Sequence, residues 1–123
     1  MFVTGNLTIQ GRINLNDGDG FFMTIVGGNI NVDDGVSHPN QPALEGAYFA
    51  GGNFATGTGG SANDDQLYIR GSVAASGSIN LQRDLGDDNQ TKPGEFIEFA
   101  PDLIFTYPRE LGEGNFIWHE IAP

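Results

Sequence analysis

The stretch GNLTIQGRINLN, residues 5–16, is two consecutive hexads that each read Gly, polar, apolar, polar, apolar, polar. Leu7 and Ile9 hold the apolar places of the first, Ile13 and Leu15 those of the second. The register returns in MTIVGGNINVD, with Gly28 ahead of Ile30 and Val32, and in EGAYFAGGNFAT, with Gly46 and Gly52 ahead of Tyr48, Ala50 and Phe54. It returns once more in LYIRGSVAASGSINL, where Gly71 and Gly77 precede Val73, Ala75, Ile79 and Leu81. An apolar residue at every second position marks a strand with one buried face. A strand this short cannot bury that face alone, so its recurrence implies that copies stack on one another.

With the first hexads taken to start at Gly5, Phe22, Gly46 and Asp65, the intervals are 17, 24 and 19 residues. Two of these are close to three hexads, the length of one turn around a triangular parallel β-solenoid, and the third contains an insertion. The expected fold is therefore all-β: a short triangular β-helix of about four turns. Hexads build two sides of each turn, and residues 17–21, 34–45 and 58–64 build the third. Glycine heads a hexad because the chain bends there between flat faces. A sandwich of short strands is the competing arrangement, and the joint recurrence of register and residue type favours the solenoid. Gly5, Gly11, Gly28, Gly52, Gly71 and Gly77 are the expected corners.

A chain of 123 residues makes one domain with a narrow core. It has no cysteine, so disulfides and thiolate metal sites are excluded. Sixteen acidic against five basic residues give a formal charge of -11, which argues against nucleic acid and anionic membranes as partners. No apolar run is long enough to span a bilayer, and no charged segment followed by an apolar one opens the chain. No membrane insertion is expected.

Residues 1–4 are strand-like and run into the first hexad without a cap. An uncovered solenoid end presents unpaired backbone groups to another chain, so Met1, Phe2, Val3, Leu7 and Ile9 are the expected self-association residues. Asp17 and Asp19 alternate with glycine as in the start of a calcium loop, and Asp33 and Asp34 close the second pair of hexads. These four are candidate Ca²⁺ ligands; together with Asp64 and Asp87 they could align as an acidic ridge along one corner. The glutamate that completes an EF-hand loop and the nonapeptide calcium repeat are both missing, and a tight acidic turn explains the same residues. The insertion from Asp34 to Glu45, with two prolines and His38, reads as a surface loop. Residues 1–82 are thus the solenoid. Residues 83–123 are an irregular aromatic C-terminal cap, expected to pack on the last turn and cover its apolar face, with a short strand at Phe96, Ile97 and Phe99, a helical turn over residues 102–105 behind Pro101, and a closing strand at Phe116, Ile117 and Trp118.

The hexads GNLTIQ and GRINLN resemble the repeats of bactofilins, polymer-forming cytoskeletal β-helix proteins. The tail, INLQRDLGDDNQTKPGEFIEFAPDLIF with the closing WHEIAP, resembles the end of large cell-surface proteins of unknown function from candidate-phylum bacteria. That second resemblance covers about the last eighty residues. It implies an extracellular or envelope-associated solenoid and carries no enzymatic activity with it.

The residues themselves show no nucleophile, base and acid arrangement, and the two histidines lie far apart. Glu95 and Glu98 would face opposite sides of a strand. The expected function is a non-enzymatic structural or interaction module at the cell surface, a homo-oligomer or fibre that self-associates end to end as a filament or stalk subunit. The alternative is an extracellular carbohydrate- or calcium-binding adhesin module, with Tyr48, Phe49 and the loop from Asp34 to Glu45 touching a glycan.

Overall fold

The computed structural model describes residues 1–15, 20–57, 59 and 64–112. Every paired strand runs parallel to its neighbour. One sheet is ordered β1 (Phe2–Val3), β3 (Met23–Val26), β5 (Leu44–Ala50), β7 (Leu67–Ala75), β9 (Glu95–Glu98), and the other β2 (Leu7–Ile9), β4 (Ile30–Val32), β6 (Phe54–Ala55), β8 (Ile79–Asn80). Each strand bonds to the one a turn later, as in a β-solenoid of about four turns. The triangular section follows from where the ladders run. Side one stacks Phe2 on Ile25, Phe49 and Ala74; side two stacks Leu7 on Ile30, Phe54 and Ile79; side three stacks Ile13 on Leu44, Ile69 and Ile97. β5 and β7 each serve sides three and one, bending at Gly46 and Gly71, where φ is +133° and +142°.

The alternation read from the sequence is the alternation of burial. Leu67, Ile69, Leu44, Tyr48, Ile30, Phe54, Val26 and Val32 point inward and are fully or almost fully buried, while Ile25, Phe49 and Asn31 between them point out. Stacking like on like lets each rung bury the next, and Tyr48 lies between the rings of Phe22 and Phe54 at centroid distances of 5.8 and 6.4 Å.

The turn length differs from the expected one. Equivalent residues at the corner between sides one and two are 23, 24 and 25 apart in sequence. The hexads of residues 5–16 are sides two and three of the first turn, whereas the later pairs are sides one and two. An apolar-polar alternation carries no label for its side, so pairing Gly5 with Phe22 shifted the phase. The corner itself supplies the label. The N–H groups of Gly28, Gly52 and Gly77 donate to the carbonyls of Gly5, Gly28 and Gly52, each at 2.9 Å. Beside them the N–H groups of Asn29, Asn53 and Ser78 donate to Oδ1 of Asn6, Asn29 and Asn53 at 2.8, 2.8 and 2.9 Å. A Cβ on Gly28, Gly52 or Gly77 would lie 2.3, 2.2 or 2.3 Å from those same oxygens. Glycine is therefore the partner that the asparagine ladder requires, and Gly-Asn at residues 5–6, 28–29 and 52–53 is its signature. Gly11 stands apart from this ladder, with nothing within 4 Å of its Cβ position.

The third side is less variable than expected, because Leu44, Leu67 and Ile69 in it are fully buried. The tail also departs from expectation. β9 is a rung of the solenoid, placed under β7. Beyond it α1 (Asp102–Phe105), which begins after Pro101 as the sequence predicts, and α2 (Arg109–Gly112) return along the outside of side one. Thr106 Oγ1 donates to the carbonyl of Gly20 at 3.1 Å, and the Tyr107 ring meets Phe21 edge-on at 5.2 Å, so the strap reaches the first turn. The described part of the tail covers a flank, not the last rung: Ile79, Leu81 and Ile97 at that end are 46%, 57% and 45% exposed. A flank of outward Phe2, Ile25 and Phe49 offers the aromatic strap more apolar surface than a single rung's end does. The strand expected at Phe116, Ile117 and Trp118 lies outside the described residues.

Candidate functional site

The three sides sort the charge. Side one (residues 2–4, 22–27, 46–51, 71–76) contains no Asp, Glu, Lys or Arg, and side two (5–10, 28–33, 52–57, 77–82) contains one, Asp33 at its far corner. Outward on side two are Thr8, Asn31, Ala55 and Asn80, in register and neutral. Outward on side one are Phe2, Ile25, Phe49 and Ala74, in register and apolar. Among the described residues, charged side chains other than Asp33 thus lie on side three, its loops and the tail, where two arginines organise them.

Arg70 lies outward on β7 and gathers carboxylates from the turn above, the turn below and the strap. Its Nη1 is 3.4 Å from Glu45 Oε1, its Nε is 4.0 Å from Glu98 Oε1, and its Nη2 donates to Asp102 Oδ1. Glu45 Oε2 also accepts from the N–H of Leu15 at 2.6 Å, which ties in the first turn. The bond to Asp102 raises the Arg70 pKa and holds the Asp102 carboxyl below its usual range. Asp102 Oδ2 is buried without a hydrogen-bond partner among the described residues, so the carboxylate depends on its other oxygen and on Arg70. Glu98 accepts from the Tyr68 hydroxyl, and this bond, with some burial, raises the Tyr68 pKa.

Arg83 is 7% exposed and serves as an internal cation. Its Nε donates to the Thr56 carbonyl at 2.9 Å, Nη1 to the Asp34 carbonyl, and Nη2 to the carbonyls of Asp33 and Val36 at 2.8 and 3.3 Å. Desolvation lowers its pKa, opposed by the charges of Asp64, Glu95, Asp34 and Asp33 around it. Glu95 Oε1 accepts from Thr56 Oγ1 at 2.5 Å and from the N–H groups of Gln82 and Arg83 at 2.8 and 2.9 Å. Asp64 accepts from the N–H groups of Gly59 and Asp84 at 2.7 and 2.8 Å. A buried cation and carboxylates with such partners act as ties between loops of successive turns.

The acidic residues named from the sequence as calcium ligands divide accordingly. Asp17 and Asp19 lie outside the described residues. Asp33 and Asp34 turn their carbonyls to Arg83, and Asp33 Oδ1 accepts from the N–H of Gly35 at 3.1 Å, the largest cause of its lowered pKa. Among the described residues no group of three or more acidic or histidine side chains is placed to hold a metal ion. The acidic ridge is a cluster of Asp33, Asp34 and Asp64 around a guanidinium, and Asp87 sits in a separate 3-10 turn, Gly86–Gln90. Sequence reasoning left Arg83 unmarked, because nothing local in QRDLG says that an arginine turns inward.

Of the aromatic pair proposed to touch a glycan, Tyr48 is wholly buried and donates its hydroxyl to the Glu45 carbonyl at 3.0 Å. Burial pushes its pKa well up, and the Glu45 charge adds to this. It is a core residue; only Phe49 faces out. The loop from Asp34 to Glu45 is no insertion, since its turn is 24 residues long against 23 and 25 in its neighbours; within it His38 accepts at Nδ1 from the N–H of Asn40 at 3.3 Å, a local turn bond. Beside that loop Arg12, Asn14, Gln41 and Pro42 line a polar hollow of about 450 Å³. Glu95 and Glu98 do point to opposite sides, one to Thr56 and the other to Tyr68 and Arg70.

Two further surfaces are apolar. At the rod's ends, β1 and β2 bond only toward β3 and β4, and β8 and β9 only toward β6 and β7, so both ends carry unpaired strand edges among the described residues. Of the residues assigned to the first edge, Met1 and Phe2 are exposed, Val3 and Leu7 half-buried and Ile9 buried against the second turn. On the flank, a hollow of about 330 Å³ lies between strap and sheet, floored by Met23, Ala47 and Phe49 and walled by Phe21, Leu103 and Tyr107. No helix among the described residues is long and apolar enough to cross a membrane. In comparisons with known proteins, no family model matches the chain, and neither a curated protein nor a solved structure does.

Proposed function

We propose that this chain is a non-catalytic structural module, a rigid rod that docks end to end with a further solenoid, in the simplest case another copy of itself, to build a filament or stalk at the cell surface. The observation that supports this reading is the pair of strand edges left unpaired at the two ends among the described residues. Each presents parallel strand edges on the same triangular section, and the exposed Ile79, Leu81 and Ile97 at the last rung match the apolar Phe2, Val3, Leu7 and Ile13 of the first. Sides one and two bring no charged side chain to that junction in a chain of charge -11. The acidic groups of side three are held to arginines and backbone amides, which suits ties better than proton transfer. Electron microscopy and sedimentation of the purified chain test the proposal: rods that lengthen with concentration are expected, with Leu81→Glu abolishing growth. Particles of one size in the parent chain refute it.

A second reading, glycan binding, rests on the polar hollow of Arg12, Asn14 and Gln41 beside the loop from Asp34 to Glu45. Binding to a glycan array, lost on Gln41→Ala, would favour it; an array without signal removes it.

A further inference from the structure

Glycine stands at the corner between sides one and two for a reason that holds at three of its four positions. A Cβ on Gly28, Gly52 or Gly77 would strike the asparagine oxygen of the rung before, whereas a Cβ on Gly5 meets nothing within 4 Å. Gly5 and Asn6 nevertheless repeat the Gly-Asn pair of the later corners. That pair has a use at the first rung when a further rung, with an acceptor at the same corner, lies before it.

The corner also has a direction. Its N–H groups donate toward the first rung, to the carbonyl and Oδ1 of the residues one turn earlier. The first end therefore offers the N–H groups of Gly5 and Asn6, and the last end offers the Gly77 carbonyl and the Ser78 hydroxyl, all without partners among the described residues. Two first ends would oppose donor to donor at this corner, and two last ends acceptor to acceptor; first on last pairs them.

Side three identifies the rung that fits. Its inward column runs Ile13, Leu44, Ile69, Ile97, so the outward columns beside it end on Phe96, which follows Tyr68, and on Glu98, which follows Arg70. Continuing the columns by one rung sets Arg12 of a second copy against Phe96 and its Asn14 against Glu98. Phe96 is 45% exposed, with the Tyr68 ring at 5.0 Å from the turn above, and the Glu98 side chain is 42% exposed. Arg12 is exposed and has no ion pair or hydrogen bond among the described residues. A guanidinium on an aromatic face, a carboxylate diagonally beside it and an amide facing that carboxylate are matched contacts.

We propose that the first rung of one copy reads the last rung of another in a single orientation and register: the Gly5 and Asn6 N–H groups on the Gly77 carbonyl and Ser78 hydroxyl oxygen, and Arg12 on Phe96 and Glu98. This rests on the axial docking proposed above and names its polarity and its contacts. The serine oxygen is one bond closer to the main chain than an asparagine Oδ1, so the joint between copies is weaker than the joints within one.

Sedimentation and electron microscopy over a concentration series test this in the parent chain and three variants. Ser78→Asn gives the last rung the oxygen of the internal corners and should lower the concentration at which rods lengthen by roughly 5-fold, the worth of one hydrogen bond. Gly5→Ala added to Ser78→Asn should abolish growth, because the new Cβ then meets that oxygen. Its thermal unfolding should match that of Ser78→Asn alone, since within one copy the Cβ is unopposed. Arg12→Glu sets like charge beside Glu98 and should raise the concentration for growth by roughly 30-fold or more. Rods indifferent to any of these three changes overturn the inference and leave axial docking standing. A parent and a Ser78→Asn chain that both stay at one particle size overturn the two together.

Discussion

Replacing Arg83 by Met tests whether an internal guanidinium holds successive turns together. Methionine keeps the length and apolar stem of the side chain and removes every donor. Four carbonyls lose their partner: those of Thr56 and Val36, whose bonds are buried, and those of Asp33 and Asp34, whose bonds are partly open to water. A buried acceptor left unpaired costs about 1–3 kcal/mol. Together the two buried ones account for about 2–6 kcal/mol, and the length of the Val36 bond, 3.3 Å, puts the expectation in the lower middle at about 3–4, the outer two being satisfied by water. Asp33, Asp34, Asp64 and Glu95 also lose their shared countercharge. Against this, the variant no longer desolvates a cation, an expense visible in the lowered Arg83 pKa. The two smaller terms oppose, and a net loss of about 3–4 kcal/mol is the expectation. For a chain of this length that is a fall in Tm of roughly 12–15 °C. The assay is urea unfolding followed by circular dichroism, run alongside Arg83→Lys. Lysine retains the charge but its compact ammonium cannot fork to four carbonyls, so its loss should be intermediate. A methionine variant within about 1 kcal/mol of the parent would refute the reasoning, because the carbonyls would then be satisfied without Arg83.

Glycine substitutions should divide sharply by position. A Cβ at Gly71 would sit 1.9 Å from the Gly46 carbonyl oxygen at a φ of +142°, so Gly71→Ala should cost about 3–5 kcal/mol of unfolding free energy, read by denaturant titration. Gly11→Ala meets nothing within 4 Å and should change stability by less than about 0.5 kcal/mol; equal effects at the two positions would contradict the bend. The strap should be acid-labile. Asp102 has its folded pKa depressed by Arg70, so the pair's contribution is complete above the ordinary carboxylate value near about 4 and is lost as pH falls through the lower folded value. Amide exchange at Leu103, Ile104 and Thr106 should accelerate below that range ahead of the core amides, and Asp102→Asn should show the same acceleration at neutral pH; exchange that follows the core at every pH would refute the tie.

The parts of this fold that a reader of the sequence can see are those in which one residue type answers one physical need. Alternation gave the strands and their buried faces, and glycine-headed hexads gave the stacking. The phase of the turn was missed because Gly5–Leu7 and Gly11–Ile13 look alike while lying on different sides, and only the Gly-Asn dipeptides distinguish them. The helical turn after Pro101 was legible from local chemistry. Its destination was not, since the bond from Thr106 to Gly20 joins residues 86 apart and depends on which flank is apolar. Tyr48 illustrates the same limit: its place in the alternation marks it as inward, but only the nearby Glu45 carbonyl makes burial of a hydroxyl tolerable. Arg83 is the extreme case, for its partners come from residues 33–36 and 56 and share no pattern with it.

The amide ladder at the corner between sides one and two fixes where each turn begins, whatever happens elsewhere in the turn. Residues of the outer loops can therefore be redistributed without moving a rung: the turn that holds residues 34–42 is 24 residues long, between neighbours of 23 and 25. A peptide epitope or reporter inserted beside Asn40 would be displayed at a set height on the shaft, and whole turns beginning at a Gly-Asn pair could be duplicated to lengthen the shaft in steps.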